Sequence, residues 1–195
     1  MRVEGKAVRK RFGRIEALRG VDFAIPSGGR VGLIGPNASG KSTLIRIILG
    51  LLRCEGELFL DGEHRRGTEQ SHEIAYVPQI APKFSASVGE VVKAITRVRD
   101  MQPDDVFHCG KEVGIDLRSV ERQAFCNLSG GAKQKTLLSL ALASAASLYV
   151  LDEPTASLDT QSRRDLFHLL SERTRDATLI LCSHRLEEIR TLVDQ

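Results

Sequence analysis

The stretch Val31-Gly32-Leu33-Ile34-Gly35-Pro36-Asn37-Ala38-Ser39-Gly40-Lys41-Ser42-Thr43 decides the fold. Its first four residues form a short apolar run bounded by glycines, the pattern of a strand buried on both faces. Behind the loop, Leu44, Ile45, Ile47, Ile48 and Leu49 fall at helical intervals, and Gly50 is placed to end that helix in a left-handed cap. Strand, loop and helix therefore come in order. From Gly35 to Thr43 the loop matches in full the pattern of two glycines separated by four residues and followed by lysine and a hydroxyl residue. Glycines let the backbone curl so that successive N–H groups and the positive end of the next helix converge on one anion. Gly35, Pro36, Asn37, Ala38, Ser39, Gly40, Lys41, Ser42 and Thr43 are thus candidate phosphate-binding residues. Lys41 is expected to reach the β- and γ-phosphates of a nucleotide, and the Ser42 hydroxyl to ligate magnesium, a small hard cation that prefers oxygen donors.

Around this loop, the chain has 195 residues and a mass of 21.5 kDa, which gives one domain at roughly 150 residues per domain. With 42% hydrophobic and 27% charged residues it has the composition of a globular protein able to bury a core. Thr136 to Leu151, its longest weakly polar stretch, falls short of the roughly 18–20 apolar residues of a membrane span. Charged residues from Arg2 to Arg11 break up any leader-like opening, so a cytoplasmic location is expected. The net charge of +3 lacks the dense basic stripe of a nucleic-acid binder, and no nucleic-acid partner is expected. Short basic clusters at Arg9, Lys10, Arg11 and Arg14, at Arg65 and Arg66, and at Arg163 and Arg164 read as solvated faces. Cys54, Cys109, Cys126 and Cys182 show no close-spaced pairing, so reduced thiols are expected, and His108 beside Cys109 makes no metal site.

Short apolar runs alternate with helical patterns along the chain, the rhythm of an α/β layered domain. Leu148-Tyr149-Val150-Leu151 reads as a buried strand ending in Asp152-Glu153 and stopped by Pro154. In an open parallel sheet, ligands bind beyond the carboxyl ends of the strands. If this strand lies beside the first, both carboxylates face the phosphates, with Asp152 on the magnesium side and Glu153 orienting or deprotonating a water. Ser87 and Glu90 have capping-box spacing ahead of a stripe of Val88, Val91, Val92, Ile95 and Val98, which reads as core rather than interface. Arg9 to Ile25 and Glu57 to Asp61 read as strands, and Leu186 to Val193 as a closing helix.

Shortly before the acidic strand comes Leu128-Ser129-Gly130-Gly131-Ala132-Lys133-Gln134, and with it the chain resembles the ABC ATPases. Gly35 to Thr43 is similar to that family's Walker A loop, Gln79 to its Q-loop, Leu128 to Ala132 to its signature and Leu148 to Asp152 to its Walker B strand. Asp159, in Ser157-Leu158-Asp159, resembles the D-loop, and His184, after Thr178 to Ser183, the switch histidine. Phe12 resembles the aromatic that stacks on adenine. The resemblance implies an α/β P-loop core with an antiparallel β portion at about 1–30 and 56–62 and a helical subdomain at about 82–128, all within a single domain of 1–195.

The family's cofactors are ATP and Mg²⁺, and its dimers pair head to tail. Each copy's signature, here Ser129, Gly130 and Gly131, closes over ATP held by the other, with Asp159 along the interface. The resemblance further implies that Ser42, Gln79 and Asp152 serve the metal and that Glu153, His184, Lys41 and Gln79 serve hydrolysis, His184 by bonding the γ-phosphate. It implies a second cassette subunit and integral membrane permease subunits as partners, with this chain peripheral on the cytoplasmic face. A non-transport ABC ATPase and a nucleotide-binding regulator without turnover are the alternatives. Ala132 stands where the family most often has glutamine, and Ala38-Ser39 where glycine and alanine are commoner; neither change removes a phosphate ligand. The chain ends at Gln195, where family members usually continue with further strands, so one edge of the fold is expected to be missing or closed differently. The short helical segment leans toward the compact cassettes of export-type or cofactor-assembly transporters.

Overall fold

A computed structural model describes residues 1–65, 71–184 and 189. Two four-stranded sheets form its frame. In the first, β1 (Val3–Phe12) and β2 (Ile15–Ile25) pair antiparallel, turning at Gly13, whose φ of +57° suits a residue without a Cβ. The strand expected over Arg9 to Ile25 is therefore the two arms of one hairpin, and its first arm starts earlier, at Val3. β4 (Glu55–Leu60) pairs with the other side of β1, and the two-residue β5 (Glu63–His64) completes the order β2-β1-β4-β5.

The second sheet is wholly parallel, with β3 (Arg30–Leu33), β6 (Ile74–Val77), β7 (Leu148–Asp152) and β8 (Thr178–Cys182) in the order β3-β8-β7-β6. β6, β7 and β8 carry continuous apolar runs because both faces are covered, whereas β3, expected to be buried on both faces, is half-buried and Ile34 beyond its end is 54% exposed. Leu148, Val150, Ile180 and Ile74 belong to a core shared with β1, β4 and α1 (Lys41–Ile48). The alternate residues Tyr149, Leu151, Leu179, Leu181, Ala75 and Val77 belong to a second core, shared with α2 (Val88–Val98), α3 (Pro103–Glu112), α4 (Gly130–Ala143) and α5 (Thr160–Arg173). The period-two alternation of strand side chains thus divides one apolar run between two cores. Ile189 packs on Gly32 so closely that a Cβ there would lie 2.4 Å from its Cγ2, so β3 needs glycine at this position. Among the described residues β3 is an edge strand; apart from Ile189, the closing helix expected over 186–193 lies outside them.

Helix ends follow their sequence signals. Gly50 takes a φ of +74°, and its N–H and that of Leu51 bond the Ile47 and Arg46 carbonyls at 2.9 and 2.8 Å, closing α1 as expected. Ser87 and Glu90 form the expected capping box: the Ser87 N–H donates to Glu90 Oε2 at 2.7 Å and the Glu90 N–H to Ser87 Oγ at 3.2 Å. Val88, Val91 and Val92 are core and Ile95 packs against it, but Val98 is 83% exposed. The covered face follows the four-residue steps Val88, Val92 and Thr96, which carry it away from Val98.

A second correction concerns Arg65. It is buried, with Nη2 donating to the Leu49 carbonyl at 3.1 Å, because its long side chain reaches the carbonyl end of α1. Arg66 lies outside the described residues, whereas Arg9, Arg11, Arg14 and Arg164 are exposed as expected. The four cysteines are free, and His108 Nε2 lies 3.6 Å from Glu112 Oε1. Among the described residues no helix is long and apolar enough to cross a membrane.

Candidate functional site

Register decides which groups meet. Leu33 of β3 and Asp152 of β7 both pair with Cys182 of β8, and Val77 of β6 pairs with Leu151, so all four strands end at one edge of the parallel sheet. The loop after β3, the acidic pair after β7 and Gln79 after β6 are therefore delivered to the same place. They line a cavity of about 490 Å³ together with Phe12, Ile15, Ala17 and Cys182. Of the loop residues, Asn37, Ala38, Ser39, Gly40, Lys41, Ser42 and Thr43 line it. Gly35 and Pro36 instead bind Lys41, whose Nζ donates to their carbonyls at 2.7 and 3.0 Å and is held within the loop's curl.

Gly40 is the hinge of this arrangement. It caps α1 at φ +96°, and its carbonyl accepts from the Leu44 N–H at 2.9 Å. A Cβ on Gly40 would lie 2.6 Å from the Ala17 carbonyl oxygen of β2, so the loop touches the antiparallel sheet backbone to backbone. That contact brings Phe12 and Ile15 to the cavity. Phe12 is 46% exposed rather than core, with Lys10 Nζ 5.4 Å from its ring centroid.

At the other end of the cavity Asp152 and Glu153 are both buried. The Glu153 backbone holds a φ of +50°, an uncommon conformation for a side chain of this size, fixed by its N–H donating to the Cys182 carbonyl at 2.8 Å. Its Oε2 lies 2.8 Å from His184 Nδ1, which joins the histidine expected at the site to the carboxylate expected beside it. Burial, followed by the negative charge of Asp152, pushes the Cys182 thiol up to about 12 and leaves it protonated. The same two causes raise the Tyr76 hydroxyl, which lies below this edge of the sheet.

Ser129, Gly130 and Gly131 lie elsewhere. α4 begins at Gly130, two residues before the expected start near Ala132, with Ser129 as its N-cap accepting from the Ala132 N–H at 3.2 Å. Gly131 rests on the turn after β7, where a Cβ would come within 3.0 Å of the Ser157 carbonyl oxygen. Ser129 and Gly130 are exposed and do not line the cavity that holds Lys41. Asp159 caps α5: Oδ1 accepts from the Ser162 N–H at 2.9 Å and Oδ2 from the Ser162 hydroxyl at 2.7 Å, bonds that hold its carboxyl below the usual range.

Sequence reasoning missed Ile15, Ala17 and Cys182 as lining residues. The signal available for Cys182 was its place at the end of the apolar run Thr178 to Cys182, two residues before His184. Ile15 and Ala17 had none, because a strand's pattern does not say which loop its backbone will touch.

The parallel sheet, the glycine-rich loop opening α1 and the acidic pair across the cavity define a P-loop nucleotide-binding protein. The family model described as ABC transporter matches residues 18–156. A zinc uptake system ATP-binding protein, ZurA, of Listeria monocytogenes is 30% identical over 205 residues, covering 98% of this chain and 80% of that protein. The zinc import ATP-binding protein ZnuC of Rickettsia bellii is 32% identical over 198 residues, covering 99% and 80%. Among solved structures, the ATP-binding cassette MJ0796, described as a dimer in a post-hydrolysis state bound to ADP and Pi, superposes with a TM-score of 0.86 at 25% identity, covering 97% of this chain and 91% of that one. A bacterial Atm1-family ABC exporter with ATP bound gives a TM-score of 0.86 at 26% identity, covering 96% and 35%. The chain belongs to the ABC transporter ATP-binding family and is an ATP hydrolase.

Proposed function

We propose that this chain is the ATP-hydrolysing subunit of a transporter, and that two copies, or this chain and a similar one, pair head to tail on ATP to drive separate membrane permease subunits from the cytoplasmic face. One observation carries the pairing. The signature Ser129-Gly130-Gly131 is an exposed helix N-terminus, suited to an anion, that stands outside its own chain's cavity. A signature supplied by a second copy completes the site, with Asp159 along the interface. The dimer described for the ADP- and Pi-bound cassette supports this arrangement.

Within the cavity the division of work follows from side-chain chemistry. Phe12 offers a ring face to the base, and the loop from Gly35 to Thr43 holds the phosphates through its N–H groups. Lys41 supplies a charge that passes from the Gly35 and Pro36 carbonyls to the β- and γ-phosphates. Magnesium fits here, since the Ser42 hydroxyl, the Gln79 amide and the Asp152 carboxylate, all hard oxygen donors, line one cavity. Among the described residues no three of His, Cys, Asp and Glu converge as a protein-only cage; magnesium needs none, because it keeps waters and phosphate oxygens as ligands. When bound, it would neutralise charge developing on the phosphate oxygens.

Glu153 is the base: its Oε2 is engaged by His184, leaving Oε1 to take the proton of an attacking water. With Nδ1 held by Glu153, Nε2 is the ring nitrogen left to meet the γ-phosphate. The zinc uptake and zinc import ATP-binding proteins among the relatives favour an importer over the export-type cassettes suggested by the short helical segment; the cargo is set by the membrane subunits rather than by this chain's residues.

Sedimentation of purified Glu153→Gln protein with and without ATP, beside steady-state ATPase of the unmodified chain, tests the proposal. The expected result is an ATP-dependent shift from monomer to dimer with turnover lost in the variant. Turnover at the unmodified rate in Glu153→Gln would overturn the assignment of the base, and an ATP-bound monomer in the presence of the permease subunits would overturn the pairing.

A further inference from the structure

Cys182 is a titratable side chain of the cavity that the proposed mechanism does not use. Cys182 is the last residue of β8, buried, and lines the cavity beside Ser42, Gln79, Asp152 and Glu153. It is the direct cross-strand partner of Asp152, which pairs with it in register at the end of β7. In a parallel pair, partners in register project from the same face of the sheet, so thiol and carboxylate stand side by side on the cavity wall. Asp152 is itself buried, and a buried carboxylate is costly to hold in place without donors. Lys41 Nζ, on the wall of the same cavity, is engaged by the loop carbonyls.

We propose that Cys182 is a positioning residue: its S–H donates to the Asp152 carboxylate and holds it turned toward the metal side of the nucleotide cavity. It rests on the reading of Asp152 as the carboxylate that serves magnesium. The thiol suits the task because it is a donor without being a rival ligand. An S–H reaches the carboxylate as a donor, and its soft sulfur is a poor match for a small hard cation that prefers oxygen. A hydroxyl in its place would donate more strongly from a shorter reach, whereas a β-branched apolar residue of similar size would leave the carboxylate to turn freely. Partners of this kind, which orient a ligand without touching the metal, typically change metal affinity by about 10–100-fold when removed. A weak S–H donor belongs at the lower end of that range.

The test uses Cys182→Val, which removes the donor, and Cys182→Ser, which keeps one. Binding of a fluorescent ATP analogue to the full chain is titrated with Mg²⁺, and also measured in EDTA. The expected result is unchanged affinity in EDTA for all three proteins, a roughly tenfold rise for Cys182→Val in the Mg²⁺ concentration giving half the effect, and recovery to within about threefold in Cys182→Ser. Equal Mg²⁺ curves for all three proteins would overturn the proposal. So would equal shifts in Val and Ser, which would mean that size rather than donation matters. If Cys182→Val fails to fold, Cys182→Ala replaces it under the same criteria. Binding by the unmodified chain that is insensitive to Mg²⁺ would instead refute the assignment of Asp152 on which the proposal stands.

Discussion

Gly40→Ala probes the contact between phosphate loop and antiparallel sheet most directly. Two costs combine. An L-residue at φ +96° carries a strain of about 1–2 kcal/mol. A Cβ 2.6 Å from the Ala17 carbonyl and 2.9 Å from Leu18 Cδ2 adds about 1–3 kcal/mol of overpacking, because the carbonyl belongs to β2, which is fixed by its pairing with β1. The molecule can take this cost in two ways. If the loop keeps its shape, stability falls by about 2–5 kcal/mol in total. If the loop swings away, stability is spared but the N–H groups no longer converge, and the loss appears in nucleotide affinity at a factor of about ten per 1.4 kcal/mol. Denaturant unfolding and calorimetric titration with ATP, taken together, should therefore lose at least about 2 kcal/mol between them. Gly28→Ala is the control, since Gly28 has a similar positive φ of +75° but a Cβ there would have nothing within 4 Å. The reasoning is refuted if Gly40→Ala and Gly28→Ala lose the same amount, because the clash with Ala17 would then contribute nothing.

Other outcomes follow from the same coordinates. Lys41→Ala should weaken nucleotide binding while leaving the unfolding midpoint nearly unchanged, since among the described residues its Nζ bonds the carbonyls of its own loop; calorimetric titration and a melting curve separate the two effects. Phe125→Ala should cost about 3–5 kcal/mol in urea unfolding, because its ring is fully buried between the helices and meets Phe84 at 5.5 Å. Ser87→Ala should cost about 1 kcal/mol through loss of the α2 cap. The bonds from Ser87 lower the Glu90 carboxyl below its ordinary 4.5, so its contribution is present above that value and lost as pH falls through the lowered one. Any gap in melting temperature between the unmodified chain and Glu90→Gln should accordingly be seen at pH 7 and narrow as the pH falls below the ordinary 4.5.

Local chemistry was legible in the sequence wherever a residue type has few conformational uses. The loop from Gly35 to Thr43, the Gly50 cap and the Ser87–Glu90 box each depend on backbone geometry within a few residues, and all three form where the sequence places them. The apolar runs of β3 and β7 were likewise legible as strands, because a short continuous run bounded by glycine or proline suits a strand in a parallel sheet. Burial of Arg65, exposure of Val98 and the start of α4 at Gly130 were not legible, since each depends on what a distant element leaves room for. The nearness of Asp152 to Cys182 and of Glu153 to His184 belongs to tertiary structure alone, being fixed by a parallel register between strands separated by a full helix. The sequence by itself therefore singled out the candidate residues for phosphate and acid–base chemistry, through short-range geometry. Only the packed sheet decided that they share one cavity, and that the serine and glycines of α4 stand outside it, because register and layer order are settled by burying two cores at once.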